Sequence, residues 1–215
     1  MRHSELVQRL AGLEPIRAPI ARLEQLATSP ERAAELLESA LARDDIVGRR
    51  VVDLGTGNGI LAIAAGLLGA AELEAVEIDP GAADVARRNF VASDVPVQIF
   101  RTDVRDYSGG ADTVVMNPPF GAQTRHADRA FWETAFRVAE RAVYAFSLAD
   151  SRSFIARSAV ARQLQIEETR AVDWDLERTF PHHARKRVRI PVDRWVLRRA
   201  PSDERTDRSP HRSPR

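Results

Sequence analysis

The sequence predicts an α/β domain in which helices cover both faces of a mostly parallel sheet. Short runs rich in Val, Ile and Leu alternate with helical patterns along most of the chain. A glycine-rich turn at 55–59 joins one such strand to a helix, and a later strand stops at Asn117-Pro118-Pro119. Proline has no backbone N–H and cannot continue a strand ladder. Ligands of open α/β sheets bind at the carboxyl ends of the strands, so both turns are expected at the functional edge.

Length and composition indicate one globular domain over residues 1–199. The chain has 215 residues, of which 44% are hydrophobic and 29% charged. Within the domain we distinguish a helical segment at 1–43, which is expected to cap a ligand at the sheet edge, and a basic hairpin at 164–199. Residues 200–215 are rich in Pro, Ser, Arg and Asp, which predicts a disordered tail. No apolar run approaches the ~20 residues of a membrane span and no signal-peptide core follows Met1, so we expect a cytoplasmic protein.

Two absences narrow the chemistry. The chain has no cysteine, which excludes disulfides, thiolate nucleophiles and cysteine-ligated zinc. It has a single lysine, Lys186, so ribose methylation by paired lysines is not expected. No second ligand stands near His126 at metal spacing, and we predict no metal site.

A basic segment lies near the end of the chain. Between Arg178 and Arg199 there are eight basic residues and one acidic residue, although the whole chain has a net charge of only +1. A segment of one sign on a mildly acidic body is typical of a contact with a polyanion. We predict RNA phosphate contacts from His183, Arg185, Lys186 and Arg187; a solvated charged loop is the plainer alternative.

The periodicity also predicts the individual elements. Thr28 and Glu31 fit a capping box with Pro30 in the first helical turn. A short helix is expected within 1–22, and further helices at 32–43, 60–68, 80–92, 127–141 and 152–162. Strands are expected up to Leu54 and at 73–79, 97–103, 113–116, 143–148, 164–174 and 187–197, with a loop over the substrate that contains His126 and Asp128.

The first half of the chain predicts a nucleoside cofactor. Gly55 and Gly57 allow close approach of a ligand, and Asp53 beside them would repel a pyrophosphate, which favours a cationic, phosphate-free cofactor. Glu77 is suited to accept both ribose hydroxyls, and Asp79 to start its helix. Asp103 is predicted to accept the adenine amine, with a loop cap as its alternative role. Thr28, if it is not only a helix cap, would close over the ligand together with Gln25.

The corner after the fourth strand is the predicted acceptor site. The side-chain oxygen of Asn117 and the carbonyl of Pro118 can each accept one N–H of an aromatic amine. Pro119 stiffens the corner, and Phe120 is expected to stack on the ring that carries the amine. Such contacts draw the nitrogen toward tetrahedral geometry, so that its lone pair can attack a methyl group.

Four segments resemble the class I S-adenosylmethionine-dependent methyltransferases: Val51–Gly59, Val76–Asp79, Asp103 and Asn117–Phe120. The resemblance implies a Rossmann-like sheet of seven strands in the order 3-2-1-4-5-7-6, with the last strand antiparallel. Within that class, Leu23–Gln25 with Thr28, Asp44–Ile46, Asn117–Gly121 and the basic hairpin are similar to the methyltransferase-like-five family.

That family implies N6-methylation of one adenosine in small-subunit ribosomal RNA. It also implies a small zinc-ribbon activator of Trm type along edge strand 97–103. The family pattern assigns the target adenine to Asn117–Phe120 and S-adenosyl-L-methionine to Gln25, Thr28, Gly55, Asn58, Glu77, Thr102 and Asp103. The residues leave open a glutamine-N5 methyltransferase acting on a release factor, a DNA adenine or RNA guanine-N2 methyltransferase, and a non-catalytic RNA-binding scaffold.

Overall fold

A computed structural model describes residues 1–17, 27–120, 126–176 and 188–199 of the chain. The helices are His3–Ala11 (α1), Pro30–Leu41 (α2), Ile60–Leu67 (α3), Pro80–Ala92 (α4), Asp128–Val138 (α5) and Arg152–Ala161 (α6). The strands are Arg50–Leu54 (β1), Glu72–Val76 (β2), Gln98–Phe100 (β3), Ala111–Met116 (β4), Ala139–Leu148 (β5), Leu164–Leu176 (β6) and Val188–Arg199 (β7).

All seven strands form one sheet in the order β3-β2-β1-β4-β5-β7-β6, which confirms the predicted order. β1 to β5 pair in parallel, whereas β7 runs antiparallel to both β5 and β6. The antiparallel last strand is therefore also confirmed. Within the described ranges, no helix is both long and apolar enough to cross a bilayer.

Two apolar cores lie on the two faces of the sheet because successive strand side chains point to opposite faces. On one face α2 and α3 pack against the sheet and α1 packs on these two helices, with Leu37 and Ile63 fully covered. On the other face α5 and α6 pack around Trp132, Phe136 and Trp195.

Some predicted boundaries were wrong. Ser29 caps α2, because its side chain accepts from the Arg32 N–H at 3.3 Å, so the capping box predicted on Thr28 does not form. α5 ends at Val138, since Ala139 already pairs with Ala111 as the first residue of β5. The predicted third strand is reduced to β3, and Asp103 instead caps a 3-10 turn at Val104–Asp106.

A buried carboxylate joins the loop before β1 to three strands. Asp45 is fully buried and accepts from Arg141, from the Tyr144 hydroxyl at 2.6 Å and from Arg198 at 3.2 Å. The Asp45 carbonyl accepts from the Thr113 hydroxyl at 2.7 Å. One residue therefore ties that loop to β4, β5 and β7 at the end of the sheet away from the two predicted turns.

We expect Asp45→Ala to lower the free energy of unfolding by about 3 kcal/mol, because it leaves two guanidinium groups and a buried hydroxyl without their shared acceptor. The control is Glu140→Ala, which removes the exposed ion pair with Arg50 and should cost at most ~1 kcal/mol. Urea denaturation measures both values. Equal losses in the two variants would contradict a structural role for Asp45.

Candidate active site

Three strands end side by side at the carboxyl edge of the sheet. Leu54 of β1 is level with Val76 of β2 and with Met116 of β4. The next residues, Gly55, Glu77 and Asn117, therefore leave the sheet in a row. With neighbouring strands about 4.8 Å apart, the row is roughly 10 Å long. This length suits a nucleoside that reaches from Glu77 toward an acceptor at Asn117.

The turn between β1 and α3 has a backbone conformation that requires glycine. Gly55 and Gly59 have φ angles of 73° and 90°, in the left-handed region that favours glycine. A Cβ atom on Gly55 would lie 2.6 Å from Cε1 of Phe131. Phe131 is thus packed against both the second core and this turn. Gly57, also at positive φ, donates its N–H to Glu77 at 2.9 Å.

The segment after α1 is held against the glycine turn. Asn89 of α4 accepts from the Glu14 N–H at 2.8 Å and donates to the Asn58 carbonyl at 2.8 Å. Asn58 donates its side-chain amide to the Glu14 carbonyl at 3.3 Å. The N-terminal part of the chain therefore contacts the functional edge at two places. Glu14 lies against the glycine turn, and Thr28 lies beside Asn117. Gln25, predicted to close over the ligand, lies outside the described residues.

Asp53 is a buried carboxylate beneath the glycine turn. Its Oδ2 accepts from the Thr56 hydroxyl at 2.7 Å and from the Ala62 N–H at 3.2 Å. Its Oδ1 has no hydrogen-bond partner among the described residues. Burial raises the pKa of Asp53 to about 7, against the two hydrogen bonds, which lower it.

Glu77 and Asp79 have different roles. Glu77 is 6% exposed and accepts from the Gly57 N–H and the Asp79 N–H, each at 2.9 Å. Burial raises the pKa of Glu77. Asp79 caps α4 by accepting from the N–H groups of Gly81 and Ala82, so its predicted structural role is confirmed.

Asp103 follows β3 at the same edge of the sheet. Its carboxylate accepts from the Arg105 N–H and pairs with the Arg105 guanidinium at 2.6 Å. The hydrogen bond from the Arg105 side chain lowers the pKa of Asp103. The carboxylate therefore serves as a loop cap, the alternative role predicted for it. Contacts of Thr102 and Asp103 with a cofactor remain predictions.

At the acceptor corner, Asn117 contacts a residue far away in the sequence. Its amide Nδ2 donates to Oγ1 of Thr28 at 2.9 Å. Pro118 is buried, whereas Asn117 and Pro119 are half-buried. The corner is therefore open on one side and supported from the N-terminal segment on the other.

Phe120 sits in an aromatic cluster that the sequence did not predict. Its ring is 7% exposed and lies edge-on to Trp174, with centroids 5.6 Å apart. Trp174 in turn packs on Phe146 at 5.0 Å. These contacts join β4, β5 and β6, and their sequence separation left no local signal. Stacking of a base on Phe120 requires the groups that cover its ring to move.

Another residue missed in the sequence is Ile78. Its side chain is 50% exposed between the two carboxylates Glu77 and Asp79. An exposed apolar side chain beside a carboxylate is suited to cover the flat ring of a nucleoside. The sequence could have indicated this role, because Ile78 directly follows Glu77 at the end of an apolar strand.

The structure describes the two residues predicted for the substrate loop, but none of the four predicted to contact RNA phosphates. His183, Arg185, Lys186 and Arg187 lie outside the described residues. His126 is exposed, but Asp128 was wrongly assigned to a loop over the substrate. It begins α5, is 6% exposed and accepts from the Ser151 hydroxyl at 2.6 Å. Asp128 is therefore part of the helix, and its carboxylate is held by Ser151 in the turn before α6.

The side chains around the turn fit a sulfonium nucleoside. Asp53 has a buried oxygen with no partner among the described residues, and the two groups that donate hydrogen bonds to its other oxygen are both neutral. A carboxylate of this kind suits a nearby cation better than a pyrophosphate. Glu77 can accept ribose hydroxyls on its remaining lone pairs, because a carboxylate has about four acceptor positions.

Asp53 makes stability depend on pH. Its pKa rises from 3.8 in the unfolded chain to about 7, so folding favours the protonated form. This contribution is complete below pH ~4 and is lost as the pH rises through ~7. Asp53→Asn should remove this pH dependence. As the pH rises from 4 to 8, the free energy of unfolding of the variant should therefore increase by up to ~4 kcal/mol relative to that of the wild type.

Urea denaturation of both chains at several pH values measures this difference. Glu77 titrates in both chains, and its repulsion of Asp53 is the smallest of the causes that shift the pKa of Asp53, so most of its effect cancels from the comparison. A difference that stays constant with pH would contradict the proposed titration of Asp53.

The chain was then compared with known proteins. The sequence profile of the methyltransferase small domain family matches residues 27–144. The chain is 37% identical to the rRNA N(6)-adenosine-methyltransferase Mettl5 of Drosophila melanogaster over 204 residues, which cover 89% of this chain and 93% of that protein. It is 33% identical to METTL5 of Danio rerio over 200 residues, which cover 90% and 97%.

A crystal structure of a protein from Pyrococcus horikoshii superposes with a TM-score of 0.84 at 35% identity, and covers 93% of this chain and 98% of that one. A structure from Thermoplasma acidophilum gives a TM-score of 0.72 at 34% identity, with coverage of 92% and 97%. The chain belongs to the methyltransferase small domain family, in its Mettl5 group, and is a methyltransferase whose cofactor is S-adenosyl-L-methionine.

Proposed function

We propose that the chain methylates the N6 amine of an adenosine in small-subunit ribosomal RNA, in the cytoplasm. The observation that carries the proposal is the Asn117-Pro118-Pro119-Phe120 corner at the end of β4, one strand away from the glycine turn. The relatives from Drosophila melanogaster and Danio rerio are named as rRNA N6-adenosine methyltransferases, which supports the same substrate here.

In this reaction the corner would hold the amine by two acceptors. The side-chain oxygen of Asn117 and the carbonyl of Pro118 accept its two N–H groups. These contacts weaken the delocalisation of the nitrogen lone pair into the ring. The bound cofactor supplies an electrophilic methyl group; the N–C bond forms as the S–C bond breaks, and the nitrogen then releases one proton to water. Positioning of this kind can supply roughly 7–11 kcal/mol of a barrier.

On the cofactor side, Glu77 would hold the ribose hydroxyls and Ile78 would cover the adenine. Asp53 lies beneath the turn formed by Gly55 and Gly57, where its negative charge would stabilise the positive sulfonium group of the bound cofactor. We further assign to the cofactor Gln25, Thr28, Asn58, Thr102 and Asp103, as the family pattern implies. A base flipped into the corner costs a few kcal/mol to unstack, and stacking on Phe120 would return about 1–3 kcal/mol.

We expect Asn117→Ala to reduce methyl transfer by roughly 100-fold or more, because the amine loses an acceptor that orients it. Cofactor affinity should change by less than about twofold, since Asn117 belongs to the acceptor side. The assay uses labelled cofactor with small ribosomal subunits or release factor, followed by digestion to nucleosides or peptides.

Gln165→Ala provides the control, because it removes an exposed amide from β6 on the far edge of the sheet. Label recovered in glutamine instead of N6-methyladenosine would refute the RNA substrate. Loss of cofactor binding in Asn117→Ala would refute the role given to this residue.

We also propose that a small zinc-ribbon activator of Trm type adds a strand to β3. β3 is the outermost strand on its side of the sheet, and Ile99 and Phe100 are only partly buried there. Phe100 accepts from the Glu77 N–H through its carbonyl, so the backbone of Ile99 points to the open side. An exposed edge of this kind is a site for strand addition.

Ile99→Pro should abolish co-purification with the activator, because it removes the outward N–H from the edge. Ile99→Val keeps that N–H and should bind as the wild type does. Thermal melting of each chain alone shows whether the fold is intact. A wild-type chain that is soluble, monomeric and fully active by itself would contradict the need for a partner.

A further inference from the structure

The seam between α5 and α6 carries three arginines on the face of the sheet away from α2. Arg129 is in the first turn of α5, Arg137 is in its last turn, and Arg162 directly follows α6. All three residues are exposed. In the part of the chain that the structure describes, no carboxylate lies within ion-pairing distance of any of them. The seam therefore has positive charge that the fold does not compensate.

Two of these guanidinium groups are held on aromatic rings across the seam. Cζ of Arg129 lies 5.0 Å from the centre of the Phe154 ring on α6. Cζ of Arg162 lies 5.6 Å from the centre of the Phe136 ring on α5. A guanidinium above a ring uses its flat face, so the N–H groups at its edge stay available for an acceptor.

Arg137 is fixed by hydrogen bonds instead. Its guanidinium donates to the carbonyls of Tyr107 at 2.8 Å and Arg105 at 3.4 Å, and to the Thr134 hydroxyl at 3.3 Å. A guanidinium has five N–H donors, so two are left over from these contacts. A cation that is already oriented loses little conformational entropy when it binds a ligand.

The three cations form a row that starts at the functional edge of the sheet. Arg137 and Arg162 line one open cavity of about 480 Å³ beside α5. Arg129 lies eight residues before Arg137, which is on the order of 12 Å along the helix axis. It follows Asp128, which contacts Ser151 just after the end of β5, the neighbour of β4.

Such a row matches the charge pattern of a nucleic-acid backbone. Successive phosphates of one strand are about 3.4 Å apart along a duplex axis, so a row of ~12 Å faces more than one of them. The edge of a guanidinium binds phosphate oxygens by two parallel hydrogen bonds.

We propose that this seam, defined by Arg129, Arg137 and Arg162, binds the phosphate backbone of the RNA that is methylated. The inference rests on the proposed function, and it adds a second surface to the phosphate contacts predicted for the basic hairpin. An RNA strand that enters the acceptor corner can continue along the seam from the end of β5. Contacts of this kind fix the position of the RNA without reading its sequence.

Glu133 gives the inference a test of opposite sign. It is exposed, lines the same cavity and lies four residues from both Arg129 and Arg137 on α5. Within the described ranges it forms an ion pair with neither of them. Its carboxylate would repel a phosphate bound in the row, so Glu133→Gln should strengthen RNA binding.

The experiment measures binding of small-subunit rRNA, freed of protein and labelled with a fluorophore, by fluorescence anisotropy at several salt concentrations. For the double variant Arg129→Gln with Arg162→Gln, we expect Kd at low salt to rise by about 10-fold. The plot of log K against log salt should become shallower by roughly 1.4–1.8, because two phosphates lose their partners. Glu133→Gln should lower Kd by about twofold.

Arg9→Gln is the matched control. Arg9 is an exposed arginine in the last turn of α1, on the opposite face of the sheet, and it has no ion pair among the described residues. The variant loses the same charge and should keep the wild-type Kd and salt slope. Thermal melting of each variant shows that the fold is intact, and Glu133→Gln tests the seam by itself if the double variant does not fold.

Several results would overturn the inference. A double variant with the wild-type Kd and salt slope would show that the seam does not contact the RNA. Weaker binding in Glu133→Gln, or an equal loss in Arg9→Gln, would contradict a local phosphate site. A wild-type chain that methylates rRNA while the seam variants bind normally would refute the seam alone, whereas a wild-type chain that transfers no methyl group to rRNA adenosine would refute the proposed function.

Discussion

The end of β4 is the constraint on which the rest of the structure depends. Met116 is level with Leu54 on one side and with Ala145 on the other, so the strand is fixed from both neighbours. Pro118 has no N–H and a restricted φ, and the chain must leave the sheet there. The place of the acceptor corner is therefore set by the sheet, while the prolines limit what the corner can do after it leaves. Little conformational entropy remains to be lost when a substrate binds.

Two buried aspartates show how the chain separates stability from chemistry. Asp45 is met by two guanidinium groups and a phenol, so its charge is compensated and its role is structural. Among the described residues, Asp53 receives only a hydroxyl and a backbone N–H, and burial raises its pKa to about 7. An uncompensated acid at the functional edge is costly to stability, and such groups concentrate at functional sites. A cationic cofactor bound at the glycine turn would supply the positive charge that no described side chain places beside Asp53.

The sequence predicted most of the fold because its signals are local. The helix Pro80–Ala92 and the order of the seven strands were confirmed in full. The signals that failed were ambiguous or long-range. Thr28 with Glu31 fits a capping box, but Pro30 is the first residue of α2, so the residue directly before it, Ser29, is the cap. Helical periodicity continues past Val138, although pairing with β4 makes the next residues a strand. Contacts of Asn117 with Thr28 and of Phe120 with Trp174 join distant segments, and no spacing in the sequence indicates them.

The acceptor corner has no titratable side chain, since it consists of one amide, two prolines and one phenylalanine. A general base is not needed there, because the methylated amine is acidic enough to release its proton to water. What the corner must supply is the orientation of two acceptors, the side-chain oxygen of Asn117 and the carbonyl of Pro118. The groups that titrate, Asp53 and Glu77, lie on the cofactor side, one and two strands away. The fold thus places the carboxylates beside the methyl donor and a rigid, uncharged corner beside the acceptor. Both lie along the same row of strand ends.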